Sequence, residues 1–225
     1  MKTAIILVLL VVSLRIPASG QTTETQTGNQ NASALGHILA HFDVTDSTVI
    51  EALSKLSLER IAGLHLGIEE ILLERFSAPR DRSVRFSLNL TNASVRDVME
   101  KLCQLDSGYS WSIDGSVINI YPREVVSESA YLLNREIGRI ALDNTTYPSD
   151  TLTPLVKLFP TEQIGYAGVG GGNPYPEPWS VVFERLTVRQ LMNRTAEHFG
   201  AEAGWIWSGS KDQRFFFFFQ FGFQR

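Results

Sequence analysis

A single cysteine, Cys103, in 225 residues excludes any disulfide within the chain. Basic residues are also scarce: 20 Lys+Arg stand against 24 Asp+Glu, a net charge of −4. No Lys/Arg cluster supplies the electrostatic footprint of a phosphate-backbone binder, so nucleic acid is excluded as a general partner. Apart from Ala4 to Val12 there is no long apolar run, and none reaches the roughly 18 residues that cross a bilayer as a helix. Catalytic signatures are missing too. There is no H-E-x-x-H, no G-x-S-x-G and no phosphate loop ending in Lys-Ser/Thr. What is present is 44% hydrophobic and 20% charged residues, the balance of a globular chain.

The first twenty residues read as an address. Lys2 supplies a basic start, Ala4 to Val12 an apolar core too short to span a membrane, and Pro17 a break. Ala18 and Gly20 place small residues at −3 and −1 before Gln21, the pattern of a cleaved secretory signal peptide over 1–20. Cleavage removes Lys2 and Arg15 and shifts the net charge to −6. The expected location is outside the cytoplasm, periplasmic or extracellular, with no membrane span after cleavage. Residues 21–36 open on the polar run QTTETQTGNQN and read as a flexible leader.

Three segments carry the same helix start: Thr48 to Leu53, Ser94 to Met99 and Thr187 to Met192. In each, a hydroxyl can cap the first free N–H groups while a side chain three residues on (Glu51, Asp97 or Gln190) reaches back. Asp97 is the shortest of the three. Apolar residues then recur with helical period: Val49, Ala52, Leu53, Leu56; Val95, Val98, Met99, Leu102; Val188, Leu191, Met192, Phe199. Cys103, four residues after Met99, falls beside the second apolar stripe as a structural thiol.

Short strands lead in at Phe42-Asp43-Val44, Val84 to Leu90 and Ser180 to Glu184. Tyr109 to Ile113 and Ser116 to Tyr121 flank Asp114-Gly115, a strong hairpin signal in which Trp111, Ile113, Val117 and Ile118 mark buried positions. A second hairpin follows the third helix, from Ala203 to Trp207 through Ser208-Gly209-Ser210 into the Phe-rich tail. Between them, Ile137 to Leu142 reads as a strand and Thr151 to Phe159 as a short helix with Pro154 in its first turn. Leu64 to Ile68 is an additional strand candidate. The expected fold class is α+β, with βαβ-type units whose helices pack on small sheets. The halves span 37–122 and 123–225, either two tandem repeats or one domain whose helices are alike by chance.

The succession of Phe42-Asp43-Val44, a capped helix ending near Gly63, Val84 to Leu88, the Ser94 to Met99 helix start and the Tyr109 to Tyr121 hairpin resembles the short N-terminal (STN) domain of secretins and TonB-dependent receptors. The resemblance covers about residues 40–122, and the second half shares it only over 180–221. It implies a non-enzymatic module that binds an envelope partner protein, here as a freestanding exported version.

Chemistry is sparse. His37 and His41 have metal-ligand spacing only on a helix, and no third ligand is near, so no metal, cofactor or catalytic residue is assigned. Glu69, Glu70 and Glu74 read as a solvated acidic face. Ser208 to Lys211 matches S-x-x-K but falls in a turn. Gly165 to Gly172, followed by three prolines up to Trp179, lacks the N–H groups of a phosphate loop. It reads as a long loop, with Tyr166, Tyr175 and Trp179 as aromatic anchors for a partner, or, alternatively, for a glycan, small ligand or hydrolase substrate. Phe215 to Phe219 and Phe221 form a terminal strand that is either covered on both faces or adhesive. The latter makes Phe217, Phe219 and Phe221 partner-binding candidates and self-association through the C-terminal strand a further expectation.

Overall fold

The computed structural model describes residues 34–59, 61–70, 84–162, 164–168, 177–200, 203–209 and 214–220, with the backbone alone at 166–168, 203, 209 and 214–220. Residues 1–20, read from the sequence as a signal peptide, and the polar run 21–31 lie outside these residues. Ala34 and Leu35, expected in the flexible leader, are buried against the first core. Their apolar side chains sit next to the first strand, so docking them removes surface from water at little cost in chain freedom.

The chain is mixed α+β. Its first half runs β1 (Ile38–Ser47), α1 (Val49–Leu58), β2 (His65–Glu69), β3 (Phe86–Ser94), α2 (Val95–Leu105), β4 (Tyr109–Asp114) and β5 (Val117–Pro122). Two 3-10 turns, Arg123–Val125 and Leu132–Asn134, lead into the second half. That half runs β6 (Glu136–Thr145), α3 (Leu152–Leu158), β7 (Ile164–Gly168), β8 (Trp179–Thr187), α4 (Val188–Phe199), β9 (Ala203–Gly209) and β10 (Arg214–Gln220). All three capping boxes form. The hydroxyls of Thr48, Ser94 and Thr187 accept from the N–H groups of Glu51, Asp97 and Gln190, and each of these side chains accepts in return from its cap residue's N–H at 2.8 Å. Asp97 closes its box as well as the longer side chains do, and its hydrogen bonds from Ser94 hold its carboxyl below the usual range.

The halves share their pairings residue by residue. β1 and β3 form an antiparallel ribbon, as do β6 and β8. The register breaks between Val44 and Ser47 in one and between Leu142 and Thr145 in the other. At each break a short polar residue takes a positive φ, Asp46 at 46° and Asn144 at 52°. Each donates its N–H to a serine on the partner strand, Asp46 to Ser87 and Asn144 to Ser180. Asn and Asp tolerate this left-handed conformation better than other non-glycine residues. Asn92 and Arg185, each two residues before a helix cap, repeat the positive φ.

The other strands form one sheet in the order β4-β5-β2-β9-β10-β7. Within it, β2 and β5 are parallel and β4 and β5 antiparallel; β7 and β10 are parallel and β9 and β10 antiparallel. The halves meet where β2 runs parallel to β9, Gly67 opposite Trp205 and Glu69 opposite Trp207. Alternate residues of this sheet serve different cores. Leu66, Ile68, Ile118 and Ile120 pack with α1 and α2, whereas Val117, Trp205, Trp207 and Ile164 pack with α4. Thus the helices of the two halves cover opposite faces of the sheet. At Gly67 an added Cβ would lie 2.5 Å from the Trp205 indole and 2.6 Å from Asn119 Oδ1, so the joint has room for no larger residue.

Two expectations change here, and the backbone of the Phe-rich strand finds its place. Residues 165–168, read as loop, belong to β7, and Trp179 opens β8; pairing with β10 satisfies backbone groups that a Gly-rich stretch gives no sign of burying. The Phe-rich strand β10 is interior, paired on both sides, so its backbone offers no free edge. Ile113, expected to be buried, is 39% exposed because β4 is one of the sheet's two end strands among the described residues.

Candidate functional site

The chemically richest place in the molecule is the joint between the halves, where α4 lies across strands of the first half. Arg189, Asn193 and Glu197 recur every four residues and so form one row along the helix. Arg189 donates to both carboxylate oxygens of Glu69, Nε to Oε1 at 2.5 Å and Nη2 to Oε2 at 3.1 Å. Its Nη1 donates to Asn134 Oδ1 at 2.6 Å, and its guanidinium lies 5.3 Å from the centroid of the Tyr121 ring. Asn193 donates to Asp114 Oδ2 and accepts from Trp205 Nε1, both at 2.9 Å. Glu197 accepts from the Ser116 N–H at 2.5 Å and the Ser116 hydroxyl at 2.8 Å, and from Arg194 at 2.8 Å.

The electrostatics follow from this packing. Glu69 is fully buried, and desolvation pushes its carboxyl above the usual range, with the Arg189 fork offsetting part of that rise. Burial also works against the charged form of Glu197, but the hydrogen bonds from Ser116 and Arg194 outweigh it and hold that carboxyl below its ordinary value. Each of these groups is engaged by a neighbour, so the row fastens the two halves together. Glu69, expected on a solvated face, is the most enclosed carboxylate of the described residues because β2 lies inside the sheet. Glu70 accepts from the Ser208 hydroxyl, and Glu74 lies outside the described residues. The sequence carried one usable sign of this joint, the four-residue spacing of Arg189, Asn193 and Glu197 on a helix whose apolar stripe lies elsewhere.

The aromatic anchors are dispersed. Tyr166 falls in β7, an outer strand of the six-stranded sheet. Trp179 falls in the β6–β8 ribbon, half-buried, stacked on His198 at 4.2 Å and edge-on to Phe183 and Phe199. Burial lowers the His198 pKa, which favours the neutral ring. Phe217 and Phe219 lie in interior β10, while Tyr175 and Phe221 lie outside the described residues. His37 is exposed before β1, and His41 sits in β1 with Nε2 3.2 Å from Asp43 Oδ1. Among the described residues no three His, Cys, Asp or Glu side chains gather as metal ligands. Burial pushes the Cys103 thiol up to about 11, which suppresses its thiolate at neutral pH.

What remains open is backbone. Among the described residues, β4 and β7 end the sheet, and no strand pairs with their outer sides. Around β4, Trp111 is half-buried beneath the Arg96 guanidinium, 5.7 Å from its ring centroid. No described helix is long and apolar enough to cross a membrane. The chain matches no protein-family model, no curated protein and no solved structure.

Proposed function

We propose that this protein is an exported, non-enzymatic binding module of the cell envelope, built of two tandem units like the STN domain, that takes up an extended segment of a partner protein. The observation that carries this reading is the β7 edge: among the described residues, no strand pairs with its outer side along the Tyr166 position. Main-chain hydrogen bonding to such an edge gives affinity, and alternate side chains give selectivity. The charged groups of the α4 row support it from the other side, since they are committed to holding the halves together. The shared pairings and bulges of the two halves support the tandem reading.

A photo-crosslinking residue at Tyr166 in living cells, followed by mass spectrometry, tests the proposal. Capture of one dominant envelope protein at Tyr166, with none from the solvent-facing position Arg139, is the expected result. An absence of protein adducts, together with a Trp fluorescence change on adding cell-wall fragments, would replace it with the glycan-binding reading.

A further inference from the structure

The joint inside the chain relates the two halves by a simple operation. Each half contributes three strands in the same lateral order, β4-β5-β2 and then β9-β10-β7. The second set runs in the opposite direction, because β9, the counterpart of β4, is parallel to β2, whereas β4 is antiparallel to β5 and therefore to β2. The helices also change face. Same order, reversed direction and exchanged face together define a half-turn about an axis in the sheet perpendicular to the strands, combined with an advance of three strands. Such an operation does not close on itself. Among the described residues it leaves a β4-type edge unused at one end and a β2-type edge, β7, unused at the other. Those are the two kinds of edge that meet at the β2–β9 joint.

We infer that the protein associates head to tail with further copies of itself, β7 of one copy pairing in parallel with β4 of the next and extending the sheet. This rests on the reading that the open sheet edges are the binding surface. The occupant is fixed by continuity with the joint already present. Carrying the β2–β9 register over places Gly165 opposite Tyr109, Tyr166 opposite Ser110 and Ala167 opposite Trp111 of the second copy. The first and third pairs set a small residue against an aromatic one, as Gly67 is set against Trp205. Ala167 stands where Glu69 stands in the internal joint, so the new contact lacks the counterpart of the Arg189 ion pair and is the weaker and more readily reversed of the two. Being heterologous, it builds an open series rather than a closed dimer.

The test uses the full exported chain. Sedimentation equilibrium should show an average mass that climbs with concentration past that of a dimer. Two edge variants, Ser110→Lys/Ser112→Lys on β4 and Gly165→Lys/Ala167→Lys on β7, should each be folded by circular dichroism and stay monomeric alone. Mixed, they should form a one-to-one dimer and stop there, because one open edge of each kind remains. A Ser110→Cys/Tyr166→Cys chain should give a ladder of disulfide-linked multimers on oxidation. A wild-type monomer at every concentration, self-association of either variant at the wild-type level, or a mixture that remains monomeric would overturn the inference. A wild-type monomer that nevertheless crosslinks an envelope protein at Tyr166 would leave the proposed function standing; loss of both would remove the edges as binding surfaces altogether.

Discussion

Replacing Arg189 with methionine should test the joint between the halves most directly. The substitution keeps an unbranched apolar stem and removes the fork that holds Glu69, which is fully buried. An unpartnered buried carboxylate typically costs about 3–5 kcal/mol. For a folded region of roughly 150–250 residues that corresponds to a fall in Tm of about 6–20 °C. The loss should depend on pH in a defined direction. Burial already raises the Glu69 pKa in the native protein, and removing Arg189 raises it further. A carboxyl whose folded pKa lies above its unfolded value binds its proton more readily in the folded state. Its penalty is therefore complete above the folded pKa and shrinks as pH falls toward the ordinary carboxylate range. Thermal unfolding followed by circular dichroism should show the variant recovering, relative to wild type, between neutral pH and about pH 5. The double variant Glu69→Leu/Arg189→Met should regain most of the loss at neutral pH, since no buried charge is left unpaired. Equal losses at both pH values, or a double variant no more stable than the single, would refute the assignment of Glu69–Arg189 as a buried ion pair.

Other outcomes follow from the same packing. Gly67→Ala places a methyl 2.5 Å from the Trp205 indole and should cost about 1–3 kcal/mol by overpacking, read as a lower urea midpoint. Glu197 has a depressed pKa, so its stabilising effect is present above the unfolded carboxyl value and disappears as pH falls through the folded one; Glu197→Gln should flatten that acid limb in a stability–pH curve, and an unchanged limb would exclude the Ser116 contact as its source. Cys103 should resist a thiol reagent in the native protein near pH 8 and react at once on unfolding, because its thiol pKa is about 11. Deleting residues 214–225 removes an interior strand, and proteolysis should then cut the second half ahead of the first; equal resistance to that of the intact chain would argue that β10 is dispensable.

The sequence by itself determined the local elements. Ser or Thr followed three residues later by an acid or amide is enough to start a helix, because both orphan N–H groups find partners within one turn. Asp-Gly between alternating apolar runs is enough to turn a hairpin, since Gly115 supplies the positive φ, here 60°. Composition and periodicity also pointed to an α+β chain, and α1, α2 and α4 start at the expected caps.

Only the tertiary structure decided which strand lies beside which. β7 has too few apolar side chains to announce itself; it forms because β10 satisfies its backbone. The Phe-rich segment looks the same in sequence inside a sheet as at its rim, and β7 on one side with β9 on the other places it inside, one strand from the end. Glu69 reads as one of several surface acids until Arg189, 120 residues away, is brought onto it. The spacing of Arg189, Asn193 and Glu197 hints at a polar seam on α4, but nothing local says that β2 pairs with β9. That pairing depends on Gly67 leaving room for Trp205, a fit between residues that no short-range pattern connects.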